Sequence, residues 1–200
     1  MQSPIAIDST SALRDLDGDP DQRLRPLHSR LVAQPVDTGH GLQANFSSGN
    51  WVTLRGRRFE LQQVHFHTPA EHTIDGVRHP VEAHFVYRAA NGRLAVLAAQ
   101  YRSGEANVEL ARLLQAFAQR DHPPAVALAV DALLGPTGDY YHYLGSLTTP
   151  PLSQNVEWYV MAQPLTAAPG QIAALERSHG GNNRLVQPLN GRPVLRVTTR

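Results

Sequence analysis

Two short runs that alternate in polarity and carry histidine constrain this chain more than anything else in it: LQQVHFH at Leu61–His67 and VEAHFVYR at Val81–Arg88. Strict alternation over a few residues argues a β-strand. On the first run Val64 and Phe66 are expected on one face, with Leu61, Gln63, His65 and His67 on the other. Side chains two apart on a strand point the same way, with Cα atoms roughly 6.6–6.8 Å apart. Two imidazoles at that spacing can converge on one ion with Zn–N bonds of about 2.0–2.1 Å. On the second run Glu82, His84 and Val86 share a face. If the two strands pair, three neutral imidazoles surround one point. A fourth tetrahedral position then stays open for water, which is the pattern of a catalytic rather than a structural zinc site.

Ten histidines in 200 residues make an H-x-H pair an ordinary occurrence, and a strand face bearing two imidazoles also fits plain solvation. The neighbours weigh towards metal. Gln63 shares the face of His65 and His67, and Glu82 shares that of His84. Metal-bound histidine usually hands its second N–H to a carboxylate, carbonyl or amide, which fixes ring and tautomer. A solvated face has no need of such an acceptor two residues before a candidate ligand on each strand.

Composition sets bounds around this. Lys and Arg number 18 against 17 Asp and Glu, with no basic run, so charge argues for neither nucleic acid nor an anionic membrane as a partner. Cysteine is absent, so any zinc must be held by histidine and carboxylate. The apolar run Ala125–Leu134 is too short to span a bilayer, and the start MQSPIAIDST has no basic and apolar leader pattern, so no signal peptide is expected and the compartment is left open. No repeat, linker or low-complexity tract interrupts the chain, and residues 1–200 read as a single domain.

Along the chain, Asp15, Asp17, Asp19 and Asp21 alternate near Gly18 and Pro20. A calcium loop would close with a bidentate Glu, which is missing, so a solvated turn is the better reading. Strands follow on either side of DTGHG, where His40 sits between two glycines. A lone histidine in a glycine turn is ordinarily just exposed, although its pKa also suits proton exchange at neutral pH. Trp51–Leu54 and Arg58–His67 form a hairpin across Arg55-Gly56-Arg57, Asp75-Gly76 is a further turn, and Asn91-Gly92 joins Val81–Arg88 to Leu94–Tyr101. Leu110, Leu113, Leu114 and Phe117 fall at i, i+3, i+4 and i+7, predicting a helix over Ser103–Arg120 with Ser103 as N-cap and Pro123 as stop. A short helix follows Pro169 and ends at Gly180-Gly181, and a buried strand starts at Asn155. Before it, Leu147-Thr148-Thr149-Pro150-Pro151 is stiff and extended. It is either a proline-braced loop or a mount for a hydroxyl, and the residues alone do not choose.

At this point the chain resembles an α-class carbonic anhydrase of the bacterial type. The likeness runs through QSPI, GH at Gly39–His40, QVHFH at Gln63–His67, EHT at Glu71–Thr73, EAHFV at Glu82–Val86, LAVLA at Leu94–Ala98, YLGSLTTPP at Tyr143–Pro151, VEW at Val156–Trp158 and NNRLVQPLNGR at Asn182–Arg192. Any one of these is weak; all of them in the same order are specific. The resemblance implies a mainly β fold: a large twisted, mostly antiparallel central sheet with a few short peripheral helices, zinc in a conical cleft, and in bacteria often a homodimer. It implies zinc-dependent reversible hydration of carbon dioxide to bicarbonate and a proton by zinc-bound hydroxide. Weak esterase activity and binding of sulfonamide-type and anion inhibitors are implied with it.

Residue by residue, the resemblance makes His65, His67 and His84 the zinc ligands. Gln63 and Glu82 become partners of His65 and His84, and the backbone carbonyl of Asn182 a partner of His67. Thr148 matches the gatekeeper that donates to Glu71, with Thr149 beside it, and His40 matches the proton shuttle. Val86, Val96 and Leu147 match the apolar wall where carbon dioxide rests, with Trp158 at its base and Thr38 and Gln43 at the rim. The chain starts almost at QSPI, without the Trp-Gly-Tyr segment that relatives carry earlier, and Leu152 stands where many bacterial members have cysteine. Three other readings compete. A catalytically impaired zinc-binding module would share the fold. A cupin-type site would use Glu71 as a ligand beside His65 and His67, with iron or manganese. A serine hydrolase would use Ser146, but G-S-L-T-T is no nucleophile elbow.

Overall fold

In the computed structural model, residues 1–15, 24–25, 28–119 and 122–198 are described. The strands are β1 (Ala6–Ile7), β2 (Leu13–Arg14), β3 (Leu24–Arg25), β4 (Arg30–Asp37), β5 (Leu42–Phe46), β6 (Trp51–Leu54), β7 (Arg57–His67), β8 (Thr73–Ile74), β9 (Val81–Arg88) and β10 (Leu94–Ser103). After helix α1 (Val108–Phe117) come β11 (Val126–Ala129), helix α2 (Val130–Leu134), β12 (Tyr140–Ser146), β13 (Gln154–Met161), β14 (Leu165–Ala167), helix α3 (Pro169–His179) and β15 (Leu195–Val197). Among the described residues, thirteen strands share one sheet whose main path runs β11-β4-β5-β7-β9-β10-β13-β12-β15-β2. Most pairings are antiparallel; β10 runs parallel to both β13 and β14, and β15 parallel to β2. The mainly β, mostly antiparallel expectation holds. No helix among the described residues is long and apolar enough to cross a membrane.

The central strands β9 and β10 are buried on both faces. Val81, Ala83, Phe85 and Tyr87 enter one apolar cluster with Val64, Phe66, Leu97 and Leu113. Val86, Val96, Val156 and Trp158 enter a second cluster on the opposite face. Each large apolar side chain fully buried this way contributes about 1.5–3 kcal/mol. The histidines belong to the second face, while buried Glu157 accepts from Tyr159 OH of the first cluster at 2.8 Å.

One predicted face is wrong. Leu61 belongs with Phe59, Val64 and Phe66 in the first cluster, not with Gln63, His65 and His67. The cause is a β-bulge: Leu61 pairs with Tyr87 and Gln63 with Val86, so two residues of β7 oppose one step of β9. The extra residue reverses which side chains face which way. The hairpin turn is likewise one residue tighter than predicted. Leu54 pairs with Arg57 across Arg55-Gly56, both at positive φ, 46° and 76°, which is the two-residue hairpin geometry.

The first helix is shorter than expected. Ser103 is not its N-cap but the last residue of β10, paired with Ala167 of β14. Asn107 caps α1 instead, its side chain accepting from the Leu110 N–H at 3.0 Å. The pairing that keeps 102–103 in the sheet involves residues more than sixty positions later, which local periodicity cannot register. The helix expected after Pro169 is α3, with Pro169 in its first turn, whereas the short α2 was not expected. β12 was not anticipated, and of the acidic run Asp17, Asp19 and Asp21 lie outside the described residues. Asp15 pairs with Arg55 at 3.0 Å.

Candidate metal centre

Pairing β7 against β9 sets His65 opposite His84. The rings of His65, His67 and His84 lie with centroids 4.6–5.1 Å apart, and each offers a nitrogen within 4.8 Å of the other two. His67 and His84 are buried, and His65 is partly exposed. The remaining nitrogens are occupied. His65 Nδ1 is 2.8 Å from Gln63 Oε1, His67 Nδ1 is 3.2 Å from the Asn182 carbonyl, and His84 Nε2 is 2.7 Å from Glu82 Oε1. That arrangement leaves Nε2 of His65, Nε2 of His67 and Nδ1 of His84 for an ion. His67 Nε2 is buried with no hydrogen-bond partner, a costly state unless it is a ligand. Burial first, then the neighbouring imidazoles, hold His65 and His84 below the ordinary histidine value, and burial lowers His67 as well. All three therefore favour the neutral, ligating form.

A second metal-competent group, His72, Glu82 and His84, is a hydrogen-bond hub instead. Glu82 Oε1 faces His72 Nδ1 at 2.6 Å as well as His84, while Oε2 accepts the His72 backbone N–H at 2.9 Å and Gln100 Nε2 at 3.1 Å. Burial would raise the Glu82 carboxyl, but His72 and His84 hold it well below the usual range. From His72 the network continues to Tyr143 OH at 2.7 Å, which donates to Ser3 Oγ at 2.9 Å. His72, Tyr143, Ser3 and Gln100 are functional neighbours that sequence reasoning missed. His72 lies on a connection rather than a strand, so no face rule reaches it; only its adjacency to Glu71 hinted at a role.

Glu71 is buried beside the histidines, 3.6 Å from His67 Nδ1 and 3.9 Å from His84 Nδ1. Its Oε1 accepts the Arg184 backbone N–H at 2.7 Å, whereas Oε2 is buried without a partner. Burial pushes this carboxyl up, opposed by His84, the Arg184 N–H and, most weakly, the hydroxyl of buried Thr148. Thr148 is thus near enough to act on Glu71 electrostatically. Glu71 stands outside the histidine trio, contrary to what a cupin-type site requires. Ser146 is fully buried, its Oγ donating to Leu147 O and accepting from Ser3 N–H, and is not poised as a nucleophile.

The predicted apolar residues come together. Val86 pairs with Val96 across β9 and β10, and Val96 with Trp158 across β10 and β13. The Trp158 ring lies 4.9 Å from that of His84, and its Nε1 donates to Ser146 O at 2.9 Å. Leu147 packs against the same cluster. Thr149 is exposed, as are His40 and Thr38, and Gln43 sits on β5 directly opposite His65.

A family model of eukaryotic-type carbonic anhydrases matches residues 1–198. A carbonic anhydrase of Pectobacterium atrosepticum is 43% identical over 166 residues, covering 81% of this chain and 68% of that protein. One from Klebsiella pneumoniae is 36% identical over 203 residues, covering 97% and 79%. Among solved structures, the α-carbonic anhydrase of Thermovibrio ammonificans in complex with sulfanilamide superposes with a TM-score of 0.85 at 35% identity, over 97% of this chain and 86% of that one. On the family match and these identities, the chain belongs to the eukaryotic-type, or alpha, carbonic anhydrases, enzymes that hydrate carbon dioxide.

Proposed function

We propose that this chain carries out that hydration with zinc held by His65, His67 and His84. The observation that carries the reading is the set of three neutral imidazoles whose second nitrogens are all taken, with His67 Nε2 buried and otherwise unpartnered. Zinc bound there supplies Lewis acidity, which makes hydroxide available near neutral pH.

The protein's own groups do the rest. Gln63, Glu82 and the Asn182 carbonyl fix ring orientation. Glu71, anchored through Oε1, accepts a hydrogen bond from the Thr148 hydroxyl on its open Oε2. Thr148 is then left only as an acceptor, and it selects a nucleophile or inhibitor that has a proton to give; this supports a sulfonamide site here. Val86, Val96, Leu147 and Trp158 give carbon dioxide an apolar rest beside the histidines, with Thr149 at the polar edge. His40, exposed on its turn, passes the product proton to buffer. Ester hydrolysis would use the same hydroxide.

The test is stopped-flow carbon dioxide hydration with zinc determined on the same sample. One zinc per chain with fast hydration, both lost in His84→Ala, is the expected result. Zinc without hydration would sink the enzymatic mechanism and favour a binding module of the same fold. Thr148→Ala should keep the zinc and lose roughly 10²-fold in rate, as removal of a single well-placed hydrogen-bonding group does.

A further inference from the structure

The turn that carries His40 is held from outside. Asp37 at the end of β4 pairs with Leu42 at the start of β5, so Thr38, Gly39, His40 and Gly41 form the connection. Its internal bonds are local. The Gly39 N–H donates to Asp37 Oδ1 at 2.8 Å, Thr38 Oγ1 donates to Gly41 O at 3.1 Å, and the His40 N–H donates to Thr38 Oγ1 at 3.3 Å. These shape the turn but do not say where it sits. Two outside residues do. Asn182 Nδ2 donates to His40 O at 2.8 Å and to Phe66 O at 3.0 Å, and its Oδ1 accepts from the Thr68 N–H at 2.8 Å. One amide thus ties the His40 turn to the end of the histidine-bearing strand. Gly41 lies so close that a Cβ there would come 3.1 Å from Asn182 Nδ2 and 3.3 Å from Phe66 O. On the other side, the same Asp37 Oδ1 that caps Gly39 meets His179 Nε2 at 3.0 Å. His179 is the last residue of α3, with its side chain 15% exposed and its Nδ1 2.7 Å from Ser178 Oγ. It lines a small cavity with Leu42, Phe66, Thr68 and Leu175.

We infer that Asp37 and His179 form a positioning clamp that fixes the His40 turn between α3 and the end of the histidine-bearing strand. This rests on the reading of His40 as proton shuttle. Exposed turns with few apolar contacts open at little free-energy cost, and His40 is exposed. Proton transfer depends on placement, and the pair supplies an anchor on α3 while Asn182 supplies one on the histidine strand. Asp37 is half exposed, and such pairs add little to global stability, so loss of the clamp should appear in placement rather than in folding.

The experiment compares His179→Leu, Asp37→Ala and the double variant, with His40→Ala as control. Amide hydrogen exchange at Gly39 and His40 is read on the zinc-free protein, and stopped-flow hydration at low and high buffer on the zinc enzyme. Both single variants should quicken the two amides with little change in unfolding midpoint. Low-buffer kcat should fall by about 3- to 10-fold, short of the roughly 10²-fold that a 1 Å misplacement can cost. kcat/KM should hold, added imidazole should restore turnover, and the double variant should be no worse than the poorer single one. If His179→Leu leaves exchange and low-buffer kcat at the wild-type level while His40→Ala lowers kcat, the clamp is wrong and the shuttle stands. If kcat/KM falls together with kcat, His179 is merely structural and the inference fails. If His40→Ala has no effect at low buffer, the shuttle reading fails and the clamp loses its purpose, even where exchange still quickens.

Discussion

His72 and His84 aim a ring nitrogen at one and the same oxygen, Oε1 of Glu82, at 2.6 and 2.7 Å. With Oε2 taking the His72 backbone N–H and Gln100 Nε2, this buried carboxylate is an acceptor in four bonds and a donor in none. A neutral amide is therefore the wrong replacement, because its NH₂ group must face two donors. Glu82→Gln should weaken zinc binding by about 10- to 100-fold, the usual consequence of removing a partner of a metal-bound histidine. Stability should fall by roughly 1–3 kcal/mol, because a buried donor is left without its acceptor. Chelator competition and urea unfolding measure the two. Zinc affinity equal to wild type would mean that Glu82 does not orient His84.

The same network reaches the first residues of the chain, and Gly145 is what lets it close. A Cβ at Gly145 would fall 2.0 Å from Ser3 Oγ, 2.9 Å from Tyr143 Cε2 and 3.1 Å from Trp158 Cδ1. Ser3 Oγ cannot simply turn away, because it accepts from Tyr143 OH and from the Ser146 N–H at 3.1 Å. Gly145→Ala should cost about 1–3 kcal/mol as overpacking. Adding Ser3→Gly should recover part of that loss, a coupling expected of residues in contact. Strictly additive losses in a thermal or urea double-mutant cycle would show that the two sites do not touch.

Alkaline stability is set by tyrosine. The chain has neither lysine nor cysteine, so above roughly pH 9 its six tyrosines are the titrating side chains. All six are pushed above the ordinary 10.0, burial being the first cause in each case. Below 10.0 the phenols are neutral in both the folded and the unfolded chain, and their contribution is complete. As pH rises past 10.0 the unfolded chain ionises first, so stability falls by about 1.4 kcal/mol per pH unit for each fully protected phenol. Urea midpoints should be flat up to that pH and then drop steeply. Absorbance at the tyrosinate band should appear only with unfolding. Tyr101→Phe, which removes the donor to Leu133 O, should make the drop shallower by one phenol's share. Tyrosinate forming before the fold is lost would overturn this account.

What was legible in the sequence followed from periodicity. A period of two put Gln63, His65 and His67 on one strand face and Glu82 with His84 on another, which gives each strand one acceptor beside a candidate ligand. The structure brings these together as expected. What was not legible depended on contacts between distant segments. Ser103 looks like a helix cap until β14 arrives to pair with it. Glu71, His72 and the Arg184 N–H meet through connections with no period to follow. Asn182 could be placed only by resemblance, and its amide bridge from His40 to Phe66 and Thr68 has no signature in its own neighbourhood.

Leu61 is the sharpest of these cases, because the period itself misleads there. Read straight, the alternation aligns Leu61 with Gln63, His65 and His67. The bulge at Leu61/Gln63 turns it to the opposite side, fully buried beside Phe59 and Val64. The two placements predict different phenotypes. A leucine on the histidine face could be trimmed with small loss of stability and a direct effect on the site. A leucine in the main core cannot. Leu61→Ala should cost about 2–5 kcal/mol in urea unfolding, as for other buried leucines, while the folded fraction binds zinc as wild type does. A loss below roughly 0.5 kcal/mol, the range of surface substitutions, together with altered zinc affinity would place Leu61 on the histidine face. It would then remove the bulge that lets one strand serve both the core and the metal centre.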